Sequence, residues 1–294
     1  MDNNIGWDLY RSFLAVLAEG SLSAAARALG IAQPTVGRHI AALEKALGVA
    51  LFTRMQTGLM PTEAALSLRG HAEAMNSAAA ALQRAAEGQN GEGVQGTVRV
   101  SASEVVGVEL LPPILAALRQ AHPRLRIELV LTNRVQDLLR READIAVRMT
   151  QPQQEQLIAR RVPSRAVGLH AHPSYLAQHG MPQNLAELGR HALIGFDRET
   201  PFIRAARSAW PSWTREAFAL RSDSDLGQLA LIRAGCGIGA CQVALAQREP
   251  KLVRVLPWQF ELQLETWITM HEDLRSSAAC KATFEALVRG LSDG

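Results

Sequence analysis

The sequence predicts a multi-domain protein that joins an all-α winged helix-turn-helix, a long linker helix and an α/β part of two lobes. Three observations predict this architecture. Short helical patterns separated by glycines fill the first 50 residues, a narrow seven-residue repeat follows, and strands alternate with helices from residue 97 onward. A chain of 294 residues is also too long for one ordinary core.

Composition is typical of a globular protein, with 48% hydrophobic and 20% charged residues. No apolar run predicts a membrane span, and the first residues lack the basic region of a signal peptide. The odd cysteine count (Cys236, Cys241, Cys280) argues against a disulfide framework and favours a reducing compartment, so we expect a cytoplasmic protein. The formal charge of +3 permits nucleic-acid binding without establishing it.

The first two helices are short. An apolar stripe predicts a helix over residues 7–18, which Gly20 ends. Ser21 and Ser23 can cap a second helix, Ala24–Leu29. Because a left-handed glycine commonly ends a helix, a tight turn is expected directly after this second helix.

The third helix has one buried face and one polar face. It is expected to begin at Pro34, since the first amides of a helix lack partners and tolerate proline. An apolar stripe predicts its buried side, at Val36, Ile40, Leu43 and Leu47, while Arg38, His39 and Ala42 face outward. Two helices joined by a glycine turn, the second with a polar outer face, have helix-turn-helix geometry. A short strand at Leu51 and Phe52 and a turn region over Met55–Pro61 then predict a wing.

A long helix capped by Thr62 is expected to run to about Glu87. Small and apolar residues recur along it at spacings of 4, 3, 4, 3 and 4, namely at Leu68, Ala72, Met75, Ala79, Leu82 and Ala86. A narrow seam of this kind favours pairing with a second helix. Packing on its own domain is the alternative. The glycine-rich segment 88–96 predicts a hinge.

Beyond the hinge, short loops between strands and helices predict mainly parallel sheets covered on both faces. The expected strands are 97–102, 125–131, 143–148, 157–162, 166–171, 192–196, 218–222, 237–242 and 263–270. The expected helices are Val105–Ala121, Arg134–Arg140, Asp225–Ala234 and Leu274–Arg289.

The stretch Phe13–Ala64 resembles the N-terminal region of LysR-type transcriptional regulators. It carries GSLSAAARALG, QPTVGRHIAALE, LGVALFTR and PTEA in the order and at the spacing of that family, and looser similarity continues through ADIAVR, LHAHPSYLAQHG and AGCGIGA. The sequence departs from the family at Ala32 and Gly37, where serine is common, and at Ala65, where glycine is usual.

The resemblance implies a bacterial regulator of transcription and no enzyme. Its partners would be double-stranded DNA, a small-molecule effector and further copies of the chain, as a dimer of dimers. The C-terminal part would be two lobes like a periplasmic binding protein, crossed twice by the chain. No cofactor or metal is implied. The expected domains are 1–62 for DNA binding, 63–96 for linker and hinge, and 97–294 for the effector, with lobes 97–164 plus 267–294 and 165–266.

The resemblance also implies that the third helix enters the major groove. The expected DNA-binding residues are then Gln33, Pro34, Thr35, Arg38, His39, Arg54 and Thr62. Gln33 suits adenine, Arg38 suits guanine or a phosphate, and Thr35 suits a phosphate. Arg54 is expected to clamp a phosphate at the base of the wing, and Thr62 to cap the linker helix or touch the DNA backbone.

In two-lobed α/β receptors, ligands bind at the carboxyl ends of strands, against helix N-termini that favour anions. The residues expected there are Ser101, Ser103, Glu104, Thr132, Asn133, Arg148, Phe196, Phe202 and Ser222. Hydroxyl groups with one arginine suit a small carboxylate. Helix capping is an equally good role for each serine and for Thr132.

Other chemistries have weaker support. Cys236 and Cys241 are close enough to form a redox pair, but cysteines in an apolar stretch are usually core residues. His170 and His172 share a strand face without a completing ligand, and GCGIG (235–239) does not complete a dinucleotide-binding loop. An enzyme or transport-type binding protein with the C-terminal fold is the competing function, and it would not need residues 1–90.

Overall fold

The computed structural model describes residues 5–55, 58–87, 93–133, 143–152, 156–200, 203–204, 213–248 and 252–293. The chain forms two compact units, one built on residues 1–84 and the other on residues 85–138 and 143–294. The predicted helix 134–140 lies outside the described residues.

The first unit begins with three helices, α1 (Trp7–Glu19), α2 (Leu22–Leu29) and α3 (Gln33–Leu47). Each helix is followed by a glycine with positive φ, a backbone conformation that glycine adopts without steric strain. The Ser21 hydroxyl caps α2 by accepting a hydrogen bond from the Ala24 amide, so this helix starts two residues earlier than predicted. The three predicted helices are confirmed.

A two-stranded antiparallel hairpin, β1 (Phe52–Met55) and β2 (Gly58–Pro61), forms the wing. The sequence interpretation was wrong in limiting the strand to Leu51 and Phe52 and in treating 55–61 as a turn. Both arms of the wing are short strands, and neither shows a regular alternation of buried and exposed residues that would predict a strand.

The linker helix α4 covers Glu63–Glu87. On its first turns Ala65 and Ala72 are buried in the core of the first unit, and Leu68 packs against the same core. Met75 and Leu82, further along, are 42% and 75% exposed. Over its first half, then, the helix packs on its own domain, as the alternative interpretation of the seam expected.

The second unit contains two lobes with separate apolar cores. The first lobe holds β3 (Gly96–Ala102), β4 (Leu125–Leu131) and β5 (Ile145–Arg148), which pair in parallel. α5 (Leu111–Ala121) and the C-terminal α9 (Ala278–Ser292) supply apolar side chains to this core.

The second lobe holds β7 (Leu193–Gly195), β8 (Phe218–Arg221) and β9 (Ile238–Gln242), which also pair in parallel. Its remaining elements are α6 (Pro173–His179), α7 (Asp225–Arg233), α8 (Val243–Arg248) and β10 (Val253–Val255), together with 3-10 turns at Leu185–Arg190 and Arg215–Ala217.

Two long strands cross between the lobes, β6 (Leu157–Ala171) and β11 (Leu262–His271). They pair with each other in antiparallel fashion, and the sheet runs in the order β4-β3-β5-β11-β6-β9-β7-β8. The double crossing implied by the family resemblance is confirmed. The prediction of mainly parallel sheets was too simple, because β6 and β11 make antiparallel pairs with each other and with β5, β9 and β10.

Prolines account for two further corrections. The sequence divides β6 into two strands around Pro163, yet the strand is continuous, because its pairing with β11 is interrupted by a register shift opposite that proline. The predicted helix 105–121 begins as a π-helix, Val106–Leu110, before Pro112 and Pro113, whose missing amides cannot continue regular helical bonding.

The C-terminal helix also begins later than predicted. A 3-10 turn covers Glu272–Ser276, and Ser277 then caps α9 by accepting a hydrogen bond from the Cys280 amide. The predicted start at Leu274 therefore falls inside the turn.

Candidate nucleic-acid interface and ligand cleft

The first turns of α3 present a polar, uncapped surface. Gln33, Pro34 and Arg38 are exposed, and Thr35 is half-buried. The Arg38 Nη2 atom lies 3.4 Å from the Thr35 hydroxyl, one turn away. No acidic residue lies in this first turn. A surface with donors and no carboxylate is compatible with a phosphate or a base edge.

His39, expected to face outward, is turned partly inward. Its Nδ1 atom lies 2.7 Å from the hydroxyl of Ser12, a residue of α1 that is only 1% exposed. This hydrogen bond ties α3 to α1. His39 therefore helps to orient α3, and only part of its ring remains on the surface.

Glu44 fixes the other end of α3, a role that sequence analysis missed. Its Oε1 atom accepts hydrogen bonds from the backbone amides of Leu51 at 2.7 Å and Phe52 at 3.3 Å. These amides lead into β1, so one carboxylate joins the helix to the wing. Sequence analysis could not predict this hydrogen bond, because Glu44 lies seven residues before Leu51 and that spacing is not part of any local motif.

The wing is anchored to the rest of the first unit at both strands. Arg54 is exposed on β1. On β2 the Leu59 amide donates to the Gly20 carbonyl at 2.9 Å, and a Cβ on Gly58 would come within 2.8 Å of that same oxygen. Thr62 donates its hydroxyl to the Ala50 carbonyl at 2.8 Å and accepts from the Ala65 amide, so it caps α4.

In the second unit, Ser101 and Arg148 come together on neighbouring strands. The Arg148 Nη2 atom donates to the Ser101 hydroxyl at 2.6 Å, and its Nη1 atom donates to the Val147 carbonyl. Arg148 is 9% exposed, and its Nε has no hydrogen-bond partner. Burial lowers the pKa of Arg148 to about 10. Within the described part of the chain, no carboxylate forms an ion pair with Arg148.

Four polar residues join the two lobes, and we call them the interlobe latch: Glu104, Asn133, Ser224 and Asp225. The Ser224 hydroxyl donates to the Glu104 carboxylate at 2.7 Å, and the Asn133 amide donates to Asp225 at 3.0 Å. Asn133 also accepts from the Glu104 amide. Desolvation of the carboxylate and the nearby charge of Glu104 raise the pKa of Asp225 above its ordinary value.

The Glu104 carboxylate thus lies beside Ser224, which caps α7 at the helix N-terminus where the sequence analysis expected an anionic ligand. A second bond between the lobes lies nearby, where Arg233 pairs with Glu109 at 2.7 Å.

The other residues predicted at the cleft are dispersed. Ser103 and Thr132 are half-buried at the ends of β3 and β4. Ser222 accepts from the Ser224 amide and supports the turn before α7. Phe196 is buried in the core of the second lobe, with its ring centroid 4.9 Å from that of Phe218. Phe202 lies outside the described residues.

Cys241 is poorly suited to redox chemistry. Its sulfur lies 3.2 Å from the His170 Nδ1 atom, and burial raises the pKa of the Cys241 thiol to about 12. Burial also lowers the pKa of His170 to about 4, so the ring is neutral at physiological pH and cannot draw the proton away as an ion pair would require. Among the described residues, no group of three or more potential ligands is placed to hold a metal ion.

Within the described residues, the helices are all too short or too polar to cross a bilayer.

Comparison with known proteins assigns both parts of the chain. Residues 7–66 match the model of the bacterial regulatory helix-turn-helix protein, lysR family, and residues 91–292 match the LysR substrate binding domain. The chain belongs to the LysR family. The fold is similar to that of CbnR complexed with its target DNA, which is 21% identical, with a TM-score of 0.67 over 97% of this chain and 99% of that one.

Curated relatives of this LysR-family protein are named as regulators. A transcriptional regulator of Xanthomonas campestris pv. campestris is 32% identical over 200 residues, which is 67% of this chain and 57% of the relative. The regulator CrgA of Neisseria meningitidis serogroup C is 32% identical over 184 residues, or 63% and 61% of the two chains. The chain thus spans about three-fifths of the length of these two relatives.

Proposed function

We propose that this LysR-family protein is a DNA-binding transcriptional regulator whose activity is set by a small anionic effector held between the two lobes of its second unit. The main observation behind the proposal is that the first half of α3 has exposed polar side chains and no acidic residue. Hydrogen bonds of His39 and Glu44 hold this helix in place. A helix that recognises base sequence must be held rigidly, because each side chain that contacts a base has to lie within hydrogen-bond distance of it.

The proposed DNA contacts divide into two kinds. Gln33 and Arg38 reach base edges, because the Gln33 amide offers one donor and one acceptor and the Arg38 guanidinium offers two parallel donors. Thr35, Arg54 on the wing and the exposed part of His39 contact the phosphate backbone, which sets the position of the helix without reading sequence. The role left to Thr62 is to cap α4, since its hydroxyl accepts from the Ala65 amide and donates its proton to the Ala50 carbonyl.

We further propose that α4 pairs two copies of the chain. Met75 and Leu82 lie on the predicted seam and are exposed in the single chain, unlike Leu68 and Ala72. Covering such side chains with a second helix removes apolar surface from water. A pair of chains would present two copies of α3 to one duplex, and the family resemblance supports a further pairing into a dimer of dimers.

The effector is proposed to be an anion because of Arg148. A buried guanidinium without a carboxylate partner is unfavourable, and a bound anion would compensate its charge. Ser101 and Thr132 would supply hydroxyl groups. In the interlobe latch the Glu104 carboxylate already accepts a hydrogen bond from Ser224, so an anionic effector would compete with Glu104 for that hydroxyl. An anion that enters the cleft is expected to displace Glu104 from that position.

The DNA assignment is tested by fluorescence anisotropy with a duplex from the region upstream of the protein's own gene, and with an unrelated duplex of equal length. Arg38→Ala should weaken binding to the upstream duplex by about tenfold to a hundredfold and reduce the preference for it. Arg54→Ala should weaken binding to both duplexes and lower the slope of log affinity against log salt by about 1.

The matched control is Arg11→Ala, which also removes an exposed arginine from the first unit, one that pairs with Asp8 on α1. An equal loss of affinity in Arg11→Ala and Arg38→Ala would show a general charge effect and overturn the assignment of α3. The effector is tested separately, by calorimetry with small carboxylates on the Arg148→Met and Arg160→Ala variants. Arg160 is exposed on β6, so only Arg148→Met should abolish binding in the cleft.

A further inference from the structure

We propose that a cavity beside the N-terminal end of α5, apart from the interlobe cleft, is a second ligand site that takes a small monocarboxylate with an apolar body. The cavity has a volume of about 310 Å³. It is lined by two cationic residues, Arg165 and Arg248, and by the apolar residues Leu110, Pro113, Ile114 and Leu291. The lining includes neither Arg148 nor any residue of the interlobe latch.

Arg165 is the reason to expect an anion. It lies on the crossing strand β6, is only 7% exposed and lines the cavity. Its Nη2 atom donates to the Leu291 carbonyl at 2.8 Å, while its buried Nε has no hydrogen-bond partner. A guanidinium so deeply buried is usually paired with an acid. In the described part of the chain, no carboxylate forms an ion pair with Arg165.

The second arginine increases the need for a negative charge. Arg248 is the last residue of α8, and it is exposed where it lines the cavity. Burial, and then the charge of Arg248, lower the pKa of Arg165. Two cations that line the same cavity repel each other, and an anion between them would convert that repulsion into two charge-assisted hydrogen bonds.

The rest of the lining indicates what the anion is attached to. Leu110, Pro113 and Ile114 offer no side-chain hydrogen-bonding group, so they suit a phenyl ring or a branched alkyl chain. Gly290 allows α9 to approach α5 closely, since a Cβ there would come within 2.5 Å of the Ile114 Cγ1 atom. Asp293 also lines the cavity and is exposed, so it would repel a second carboxylate. The geometry therefore favours a monocarboxylate over a dicarboxylate.

The test is calorimetric titration of the full-length protein with phenylacetate and with phenylacetamide, a neutral molecule of nearly the same shape. Phenylacetate should bind, and the amide should bind at least tenfold more weakly, because it lacks the charge. Arg248→Ala should weaken phenylacetate binding by about tenfold to a hundredfold. Since the Arg248 side chain is exposed, this variant should fold normally, which thermal unfolding will check.

Two control variants distinguish this cavity from the interlobe cleft and from a general effect of surface charge. Arg289→Ala removes an exposed arginine of α9 that does not line the cavity, and it should bind phenylacetate like the wild type. Arg148→Met removes the cation proposed for the interlobe cleft and should also leave this binding intact. Loss of binding in Arg148→Met with full retention in Arg248→Ala would place the ligand in the cleft and overturn the second site. Equal affinity for acid and amide, or no binding of phenylacetate, would overturn it as well.

Discussion

Replacing Arg148 with methionine tests whether this arginine serves to bind an anion rather than to stabilise the fold. Burial lowers the pKa of Arg148 to about 10, from an ordinary value above 12, and this difference corresponds to roughly 3 kcal/mol against the charged form in the folded chain. The cost is present at every pH below about 10, because the guanidinium is then charged in both the folded and the unfolded chain. Methionine is unbranched and apolar, and it removes that cost.

The substitution also removes two hydrogen bonds, to Ser101 and to the Val147 carbonyl. A buried hydroxyl left without a partner costs about 1–3 kcal/mol, and Ser101 is fully buried. The two effects nearly cancel, so the free energy of unfolding should stay within about 1 kcal/mol of the wild type or rise by up to about 2 kcal/mol. Most substitutions of a buried residue, in contrast, destabilise.

Thermal unfolding of the full-length protein, followed by circular dichroism without effector, provides the measurement. The Arg148→Met midpoint should be unchanged or raised by up to about 6 °C. The control is Ile268→Ala, which truncates a fully buried residue of β11, the strand that pairs with β5, and should lose about 2–5 kcal/mol. If Arg148→Met destabilises the chain as much as Ile268→Ala does, Arg148 is a structural residue and the proposed role in anion binding loses its basis.

Three other substitutions give separate tests. Glu44→Ala should speed hydrogen exchange at the Leu51 amide and destabilise the first unit by about 1–3 kcal/mol, and unchanged exchange would contradict the role given to Glu44. The raised pKa of Asp225 means that its contribution to stability is present at low pH and is lost as pH rises through that value. Asp225→Asn should therefore flatten the dependence of the unfolding midpoint on pH above the ordinary pKa of an aspartate, and an unaltered profile would argue against the shift. Leu82→Glu places a charge on the proposed pairing face of α4 and should lower the molar mass measured by light scattering, whereas Gln83→Glu should leave it unchanged. The same molar mass for Leu82→Glu and the wild type would exclude pairing through α4.

The helices of the first unit were predictable because their signals are local. A glycine that must adopt positive φ ends each helix, and an apolar residue recurs every three or four positions between. The strands of the wing were not, because Phe52–Met55 exposes three of its four residues and so shows no alternation. Pro163 led to the wrong division of β6 into two strands. Proline usually ends a strand because it cannot donate a backbone hydrogen bond, but the pairing of β6 with β11 is interrupted opposite Pro163, so no bond is lost there.

The candidate cleft was predictable only in part. Ser101 and Arg148 were placed together because β3 and β5 are parallel neighbours, whose carboxyl ends meet at one edge of the sheet. The bond from Ser224 to Glu104 spans 120 positions of the sequence, and no local spacing records it. Phe196 shows the same limit, since an aromatic residue at a strand end is equally suited to a cleft or to the core where it is found.

The most direct test of the account is a hydroxyl-radical footprint of the full-length protein on the upstream duplex. The two α3 helices of a pair of chains should enter successive major grooves on one face of the DNA. Protected patches are expected with centres one helical turn apart, about 10–10.5 base pairs, or a multiple of that distance, and Arg38→Ala should lose them. Uniform protection, or a footprint that Arg38→Ala leaves intact, would contradict it.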